Sequence, residues 1–223
     1  MLPEQEESIL RPAFLRAPDA LGGTTARCLS GDASGDPGSH LDVAAVPTHS
    51  RPVNVGEMPS VDVRLSAPED FDSFYECFAE ICRERRFLAL VDPSPQDQSR
   101  AFLEDARRNG MVQYVAAAGP RIVGWCDVIP HRWEGFRHGG RLGMGVVREF
   151  RGGGIGRRLL DAAVRGAREA GLSRVELEVF SSNTIAIRLY ERYGFVREGL
   201  HRRGRIIDGR VEDVLMMGLL LDG

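Results

Sequence analysis

The chain has 223 residues, a formal net charge of −3, and 43% hydrophobic and 27% charged residues, which is an ordinary composition for a soluble globular protein. All 29 basic residues are arginines. A chain without lysine cannot use a Walker-type phosphate loop, a Schiff-base lysine or the phosphate-binding lysine of a protein kinase. The small net charge and short basic blocks argue against polyanion binding, so we expect no nucleic acid partner.

The four cysteines form no C-x-x-C pair and no His/Cys cluster, so we interpret them as reduced thiols and expect no metal site. The N-terminal residues are acidic and lack the basic and apolar segments of a signal peptide. The longest strongly apolar stretch, residues 214–221, is too short to span a bilayer. These features predict a cytoplasmic protein that does not act at a membrane.

The composition changes near residue 60. Residues 1–60 hold seven of the 12 prolines, one aromatic residue (Phe14), and four arginines against eight acidic residues. Such a segment has too little apolar surface to offset its loss of conformational entropy on folding. We therefore predict a disordered N-terminal extension over residues 1–60, with a regulatory or partner-binding arm as the alternative, and a folded domain over residues 61–223.

Beyond Pro59, apolar residues recur with the periods of strands and helices in alternation. The dipeptides Gly-Pro at 119–120 and Asp-Gly at 208–209 predict hairpins with antiparallel strands, whereas a strand–helix–strand unit predicts one parallel pair. In chain order the predicted elements are strand 61–65, helices 71–82 and 95–110, strands 111–117, 122–129 and 141–147, helix 155–170, strand 175–180, helix 183–193, and strands 196–207 and 211–220. They imply an α/β fold with a mixed, mostly antiparallel seven-stranded sheet flanked by about four helices.

A glycine-rich turn separates the predicted strand 141–147 from an amphipathic helix. Its residues are Arg151, Gly152, Gly153, Gly154, Ile155 and Gly156. Glycine lets the backbone approach an anion, and a helix start offers unpaired N–H groups and the positive end of the helix dipole. The turn therefore predicts a pyrophosphate site, with Arg157 and Arg158 adding positive charge, unless it is only a tight turn. The spacing differs from the dinucleotide fingerprint G-x-G-x-x-G.

The spacing Arg-x-x-Gly-x-Gly after a strand resembles the CoA-binding signature of the GNAT superfamily of N-acetyltransferases. Further blocks are similar to the family's elements in the same order: 64–78, 117–125, 142–147 and 177–195, with 197–199 and 208–209 resembling a bacterial subgroup that acts on amino acids and related small amines. The resemblance covers about residues 61–220. It implies the GNAT-type sheet, acetyl-CoA as co-substrate without a metal, and a primary amine as acceptor.

The resemblance implies that Tyr190 protonates the departing CoA thiolate. A phenol with a reference pKa of about 10 can donate a proton to a thiolate whose acid has a pKa of about 8.5, provided that they are within hydrogen-bond reach. Core packing is the alternative role, because Tyr190 shares one helical stripe with Ala186, Leu189 and Tyr193.

Glu178 is the candidate base that removes the amine proton. Its position is similar to that of the proposed base in ribosomal-protein N-terminal acetyltransferases. Glu176 lies on the same face of the predicted strand, so both acids could instead be solvated. Other members that resemble this chain have no acid here, and proton loss through water is the second option.

The resemblance also implies that acetyl-CoA contacts the strand before the turn. Backbone N–H groups of Gly145, Val146 and Val147 would bind the pantetheine arm and the acyl oxygen. Glycine at 143 and 145 would allow a β-bulge there, or simply close packing. Asn183 is expected to cap the next helix and could also touch CoA.

The acceptor pocket is less defined by the sequence. Trp133, Phe136 and residues 87–92 are candidates to line it, and an acid such as Glu134 or Asp127 would suit an incoming cation. None of these positions carries a motif.

The sequence therefore predicts an N-acetyltransferase that transfers acetyl from acetyl-CoA to the primary amine of a small molecule such as an amino acid, by direct attack in a ternary complex. A protein N-terminal acetyltransferase of the ribosomal-protein type is the enzymatic alternative, favoured by Glu178. A CoA-binding sensor without turnover is the alternative of another class. The resemblance also allows a homodimer through the C-terminal strands.

Overall fold

The computed structural model describes residues 60–221, so the predicted disorder of residues 1–60 lies outside the described residues except for Ser60. The described part contains seven strands and four α-helices. In chain order these are β1 (Val61–Leu65), α1 (Phe71–Arg83), α2 (Gln96–Arg108), β2 (Val112–Ala118), β3 (Arg121–Pro130), β4 (Gly139–Val146), α3 (Ile155–Glu169), β5 (Arg174–Phe180), α4 (Thr184–Tyr193), β6 (Val196–Ile207) and β7 (Arg210–Leu220).

The seven strands form one sheet in the order β1-β2-β3-β4-β5-β7-β6. Every neighbouring pair is antiparallel except β4 and β5, which are parallel and joined through α3. At the β6–β7 turn, Asp208 and Gly209 both have positive φ, +51° and +72°, as a two-residue hairpin of this type requires. The predicted α/β fold with its mixed, mostly antiparallel sheet is confirmed.

The core lies on both faces of the sheet. On one face α1 packs Phe74 and Phe78 edge-on against Trp125 of β3, with ring centroids 5.6 and 5.4 Å apart. On the other face α3 buries Leu159 and Leu160 completely. Because strand side chains alternate, each residue of β3, β4 and β5 points to either the α1 face or the α3 face.

The sheet opens between β4 and β5. Pairing joins only residues 139–141 of β4 to residues 174–176 of β5, so residues 142–146 have no strand partner on that side. The β3–β4 register continues without a shift, so of the two roles open to Gly143 and Gly145 a bulge against β3 is absent. Close packing explains the two glycines instead: a Cβ on Gly145 would lie 2.5 Å from the Trp125 ring, and one on Gly143 would lie 3.0 Å from Asp127 Oδ1.

Candidate active site

The gap between β4 and β5 exposes backbone groups of β4. Val147 N–H donates to Val123 O (2.9 Å), and the pairing of β4 with β3 is continuous, so the odd-numbered amides of β4 turn towards β3. The even-numbered amides, including those of Met144 and Val146, therefore face the gap. Of the amides predicted as donors at 145–147, those of Gly145 and Val147 thus point away from the gap. The Val147 N–H is already bonded to Val123 O. Met144 was missed because the alternation could not be assigned before the register was known.

The glycine-rich turn lies at the open end of this gap. Gly152 and Gly154 have φ of +84° and +80°, and Cβ atoms added there would meet no atom within 4 Å. The amides of residues 152–154 donate no hydrogen bond within the described part of the chain. A Cβ on Gly156 would contact Leu189 of α4 and Met144 of β4, both at 3.5 Å. The turn, the gap and α4 therefore adjoin one another.

The arginines of the turn are held by protein groups. Arg151 makes two hydrogen bonds to Glu84, 2.9 and 2.6 Å, and a third to Val146 O, 2.7 Å. Arg157 pairs with Asp161 one helical turn along (3.2 Å). The interpretation of Arg158 as a phosphate contact was wrong, because its guanidinium reaches away to Val61 O of β1 (2.9 Å). The anion-binding capacity of the turn thus lies mainly in its backbone N–H groups.

Tyr190 projects from α4 into the core. Its side chain is 6% exposed, and its ring lies 5.6 Å from that of Phe195. Burial is the main reason why the pKa of Tyr190 is raised above its ordinary value, with the nearby Cys126 thiol adding to it. The phenol therefore stays protonated across neutral pH and remains a proton donor. The packing role is present, and the catalytic role stays a prediction. Asn183 caps α4 as predicted, with Oδ1 accepting from Ala186 N (3.3 Å).

Two acids of β5 lie on the α1 face, as their spacing predicts. Glu178 forms an ion pair with Arg141 of β4. Glu176 lies 3.2 Å from His131 Nε2 and 3.5 Å from Arg174 Nε. The candidate base is therefore already paired with a cation. Arg141 was missed by sequence reasoning, since only the parallel β4–β5 pairing brings it to Glu178.

A family model described as the acetyltransferase (GNAT) family matches residues 71–195. The chain belongs to the GNAT acetyltransferase family. A relative, the mycothiol acetyltransferase of Geodermatophilus obscurus, is 37% identical over 90 residues, which cover 39% of this chain and only 29% of that protein. The structure of ribosomal-protein-alanine N-acetyltransferase from Brucella melitensis is 26% identical, with a TM-score of 0.67 over 71% of this chain and 99% of that chain.

A Salmonella typhimurium structure with acetyl-CoA as its cofactor shares the fold at 22% identity, with a TM-score of 0.68 over 73% of this chain and 94% of that chain. Within residues 60–221 of this GNAT chain, no group of three or more His, Cys, Asp or Glu residues could hold a metal ion. None of the helices in that range has the length and hydrophobicity of a membrane span.

Two segments that are distant in the sequence, the loop after α1 and strand β6, meet on the α1 side of the β4–β5 gap and form a wall there. Arg205 of β6 donates to the carbonyl oxygens of Arg85 (3.3 Å), Arg86 (2.8 Å) and Leu88 (3.2 Å), in the loop between α1 and α2. Its guanidinium also lies 4.0 Å from the centre of the Phe180 ring. Arg205 thereby ties the start of the loop, including Leu88 of the predicted lining residues 87–92, to the β6–β7 hairpin.

The loop before β4 contributes exposed aromatic groups. Trp133 and Phe136 are each 63% exposed, and the Phe136 ring lies 6.4 Å from that of His131. Because His131 contacts Glu176, Phe136 borders the closed end of the gap. The prediction that both residues line the acceptor pocket stays a prediction.

Asp127 of β3 is buried on the α1 face of the sheet and does not lie at a pocket mouth. It is 3% exposed, and burial raises its pKa to about 7. The side chains of Gln113 and Trp125 and the backbone of Gly143 face the carboxylate and lower its pKa by less than burial raises it. The buried carboxyl group of Asp127 therefore titrates near neutral pH, and it lies next to Gly143 of β4, the strand that borders the gap.

This titration should make stability depend on pH. Between about pH 4 and pH 7 the folded chain keeps the Asp127 proton whereas the unfolded chain loses it, so stability falls as the pH rises. Relative to wild type, Asp127→Asn should gain up to about 4 kcal/mol of unfolding free energy across this range, and nothing more above it. Urea denaturation of both proteins at several pH values measures this difference. A difference that stays constant with pH would show that Asp127 is ionised throughout.

Proposed function

We propose that this chain is an N-acetyltransferase that transfers acetyl from acetyl-CoA to the primary amine of a small molecule such as an amino acid. The observation that carries the proposal is the β4–β5 gap, whose free Met144 and Val146 amides adjoin both the open glycine turn and the helix bearing Tyr190. The family match, the structure that contains acetyl-CoA, and the relative named mycothiol acetyltransferase support this choice.

The pyrophosphate of acetyl-CoA would bind the free N–H groups of the turn, reinforced by the dipole of the 15-residue helix α3. The pantetheine arm would then lie along β4, where the Met144 and Val146 amides offer hydrogen bonds. With Gly145 and Val147 turned away, these two amides also become the donors to the acyl oxygen as negative charge develops on it.

The reaction needs two proton transfers besides the acyl transfer. The neutral amine attacks the acyl carbon, a C–N bond forms, and the C–S bond breaks. Tyr190 gives its proton to the thiolate, and the proton lost by the amine goes to Glu178 or, through water, to the solvent. Returning a proton to Tyr190 completes the cycle.

A second enzymatic candidate has its own support. Glu178 occupies the predicted base position, and the Brucella melitensis structure, 26% identical, is named a ribosomal-protein-alanine N-acetyltransferase. A peptide N-terminus would then be the acceptor. A CoA-binding sensor without turnover is the remaining alternative, against which the buried phenol of Tyr190 argues.

One assay separates these candidates. Acetyl-CoA-dependent thiol release is measured over amino acids, polyamines, aminoglycosides and short peptides, with mass spectrometry of each product. Turnover of a small amine supports the proposal, whereas turnover of peptides alone favours the second candidate. Binding of acetyl-CoA without any turnover would indicate the sensor, and absence of binding would refute the assignment of the turn.

A further inference from the structure

The ion pair between Arg141 and Glu178 spans the opening of the sheet. Arg141 lies opposite Glu176 and is the last residue of β4 paired with β5. Glu178 lies two residues further along β5, so a continued register would place it level with Gly143, where the strands have already separated. The two side chains therefore meet on the α1 face at the start of the open gap, one residue from the free Met144 amide.

This pair leaves much of its bonding capacity unused. Within residues 60–221, the Arg141 side chain has Glu178 as its one ionic or hydrogen-bonding partner. The Glu178 side chain likewise has Arg141 as its one such partner in this range. A guanidinium has five N–H donors and a carboxylate about four acceptor positions. The side chains are 33% and 37% exposed, so their free donors and acceptors are open to a ligand.

Other arginines of the same face differ in this respect. Arg174 bonds Glu198 through Nη1 (2.9 Å) and Nη2 and also pairs with Glu176. Arg205 bonds three carbonyl oxygens and Glu212, and its unpartnered Nε is buried. Arg141 is thus the arginine of this group whose free donors are exposed to a ligand. An ion pair with about one-third of each side chain exposed adds little to stability.

We propose that Arg141 and Glu178 together bind the acceptor as a zwitterion, that is, as an amine with a carboxylate or similar anion close to it. This inference rests on the proposed function and specifies its substrate class. The acceptor's anion would take the free donors of Arg141, for which a planar carboxylate is the matching partner. Its ammonium group would take the free oxygen of Glu178, and each of the four charges would then have opposite charges as neighbours.

The arrangement also explains how the amine becomes reactive. Glu178 accepts one proton from the ammonium group, which leaves a neutral amine next to the Met144 amide and hence next to the acyl carbon. The second proton, which the nitrogen loses as the C–N bond forms, passes through water to the solvent. With an amine that lacks a nearby anion, protonation of Glu178 would leave the positive charge of Arg141 without a compensating anion. A peptide N-terminus is such a case, because its first carboxyl group is an uncharged amide.

The test compares amino acids with their amides in wild type and Arg141→Gln. Each of the twenty common L-amino acids and its L-amino acid amide is assayed for acetylation at saturating acetyl-CoA. In wild type, kcat/KM for the best amino acid should exceed that for its amide by about 10- to 100-fold. In Arg141→Gln this ratio should fall to about 1, with the KM for acetyl-CoA unchanged, because the contact to the carboxylate is lost, whereas loss of the ion pair to Glu178 affects acid and amide alike.

Arg174→Gln is the matched control, since it removes a guanidinium from the same face that already has its partners. It should keep the wild-type ratio. A ratio near 1 in wild type, or an unchanged ratio in Arg141→Gln, overturns the inference while leaving the proposed acetyltransferase intact.

Absence of turnover on every amine would instead defeat the proposed function. Calorimetric titration of the same amino acids and amides into the CoA-saturated protein then decides the inference by itself. Tighter binding of the amino acid than of its amide in wild type, with this difference lost in Arg141→Gln, supports the inference. Equal binding of amino acid and amide, or no binding of either, refutes it.

Discussion

Replacing Tyr190 with phenylalanine should lower kcat by about 10²- to 10³-fold, within the range for loss of a general acid. The variant keeps the ring and its contact with Phe195 and loses only the hydroxyl group. Since the acid acts on the departing thiolate and not on binding, the KM for acetyl-CoA should stay nearly the same. Steady-state kinetics on the acceptor found in the amine screen measures both quantities.

Tyr193→Phe is the natural control for this variant. Tyr193 lies on the same helix, and the centre of its ring is 6.2 Å from that of Phe195. It is more exposed than Tyr190, and we assign it no part in the reaction. It should keep the wild-type kcat. If Tyr190→Phe also keeps it, the hydroxyl group has no catalytic role and Tyr190 serves packing alone.

Gly154→Glu should weaken acetyl-CoA binding by at least about 100-fold. Gly154 caps α3, and space is open where its side chain would project. A glutamate there would place bulk and negative charge where the pyrophosphate is expected to meet the helix N-terminus. Isothermal titration with acetyl-CoA measures the loss.

Gly154→Ala separates this effect from backbone strain. Both variants force a non-glycine residue to φ +80°, which costs about 1–2 kcal/mol of stability. Both should therefore melt at a lower temperature than wild type, but the alanine variant should still bind acetyl-CoA. Equal affinity in the glutamate variant and wild type would show that the pyrophosphate binds elsewhere.

Local signals predicted most of the fold. The Asp-Gly pair at 208–209 specified the last hairpin, because the turn needs two residues that tolerate positive φ. The pattern of strand, glycine turn and amphipathic helix before β5 specified the parallel pair, since such crossovers return to the same sheet. The Asn183 cap was also readable, as its side chain bonds only three residues ahead.

The features that depend on register or distant contacts could not be predicted. Which amides of β4 face the gap is decided by its alternation against β3, and this assigns Met144 in place of Gly145. The sequence predicts Arg151 as a phosphate ligand, but it cannot show that the guanidinium bonds Glu84, because Glu84 is 67 residues earlier in the chain. Burial of Asp127 likewise requires the neighbouring strands and the side chains on them.

The bonds made by Arg205 have a consequence for the order in which the molecule is assembled. They join β6 to backbone positions 117–120 residues earlier in the chain. During synthesis α1 and its loop leave the ribosome first, and closing so long a loop is slow compared with forming local helices. The wall on the α1 side of the gap is therefore expected to be among the last parts to fold. A nascent chain that ends before β6 lacks Arg205 and so cannot hold the loop after α1 in this position.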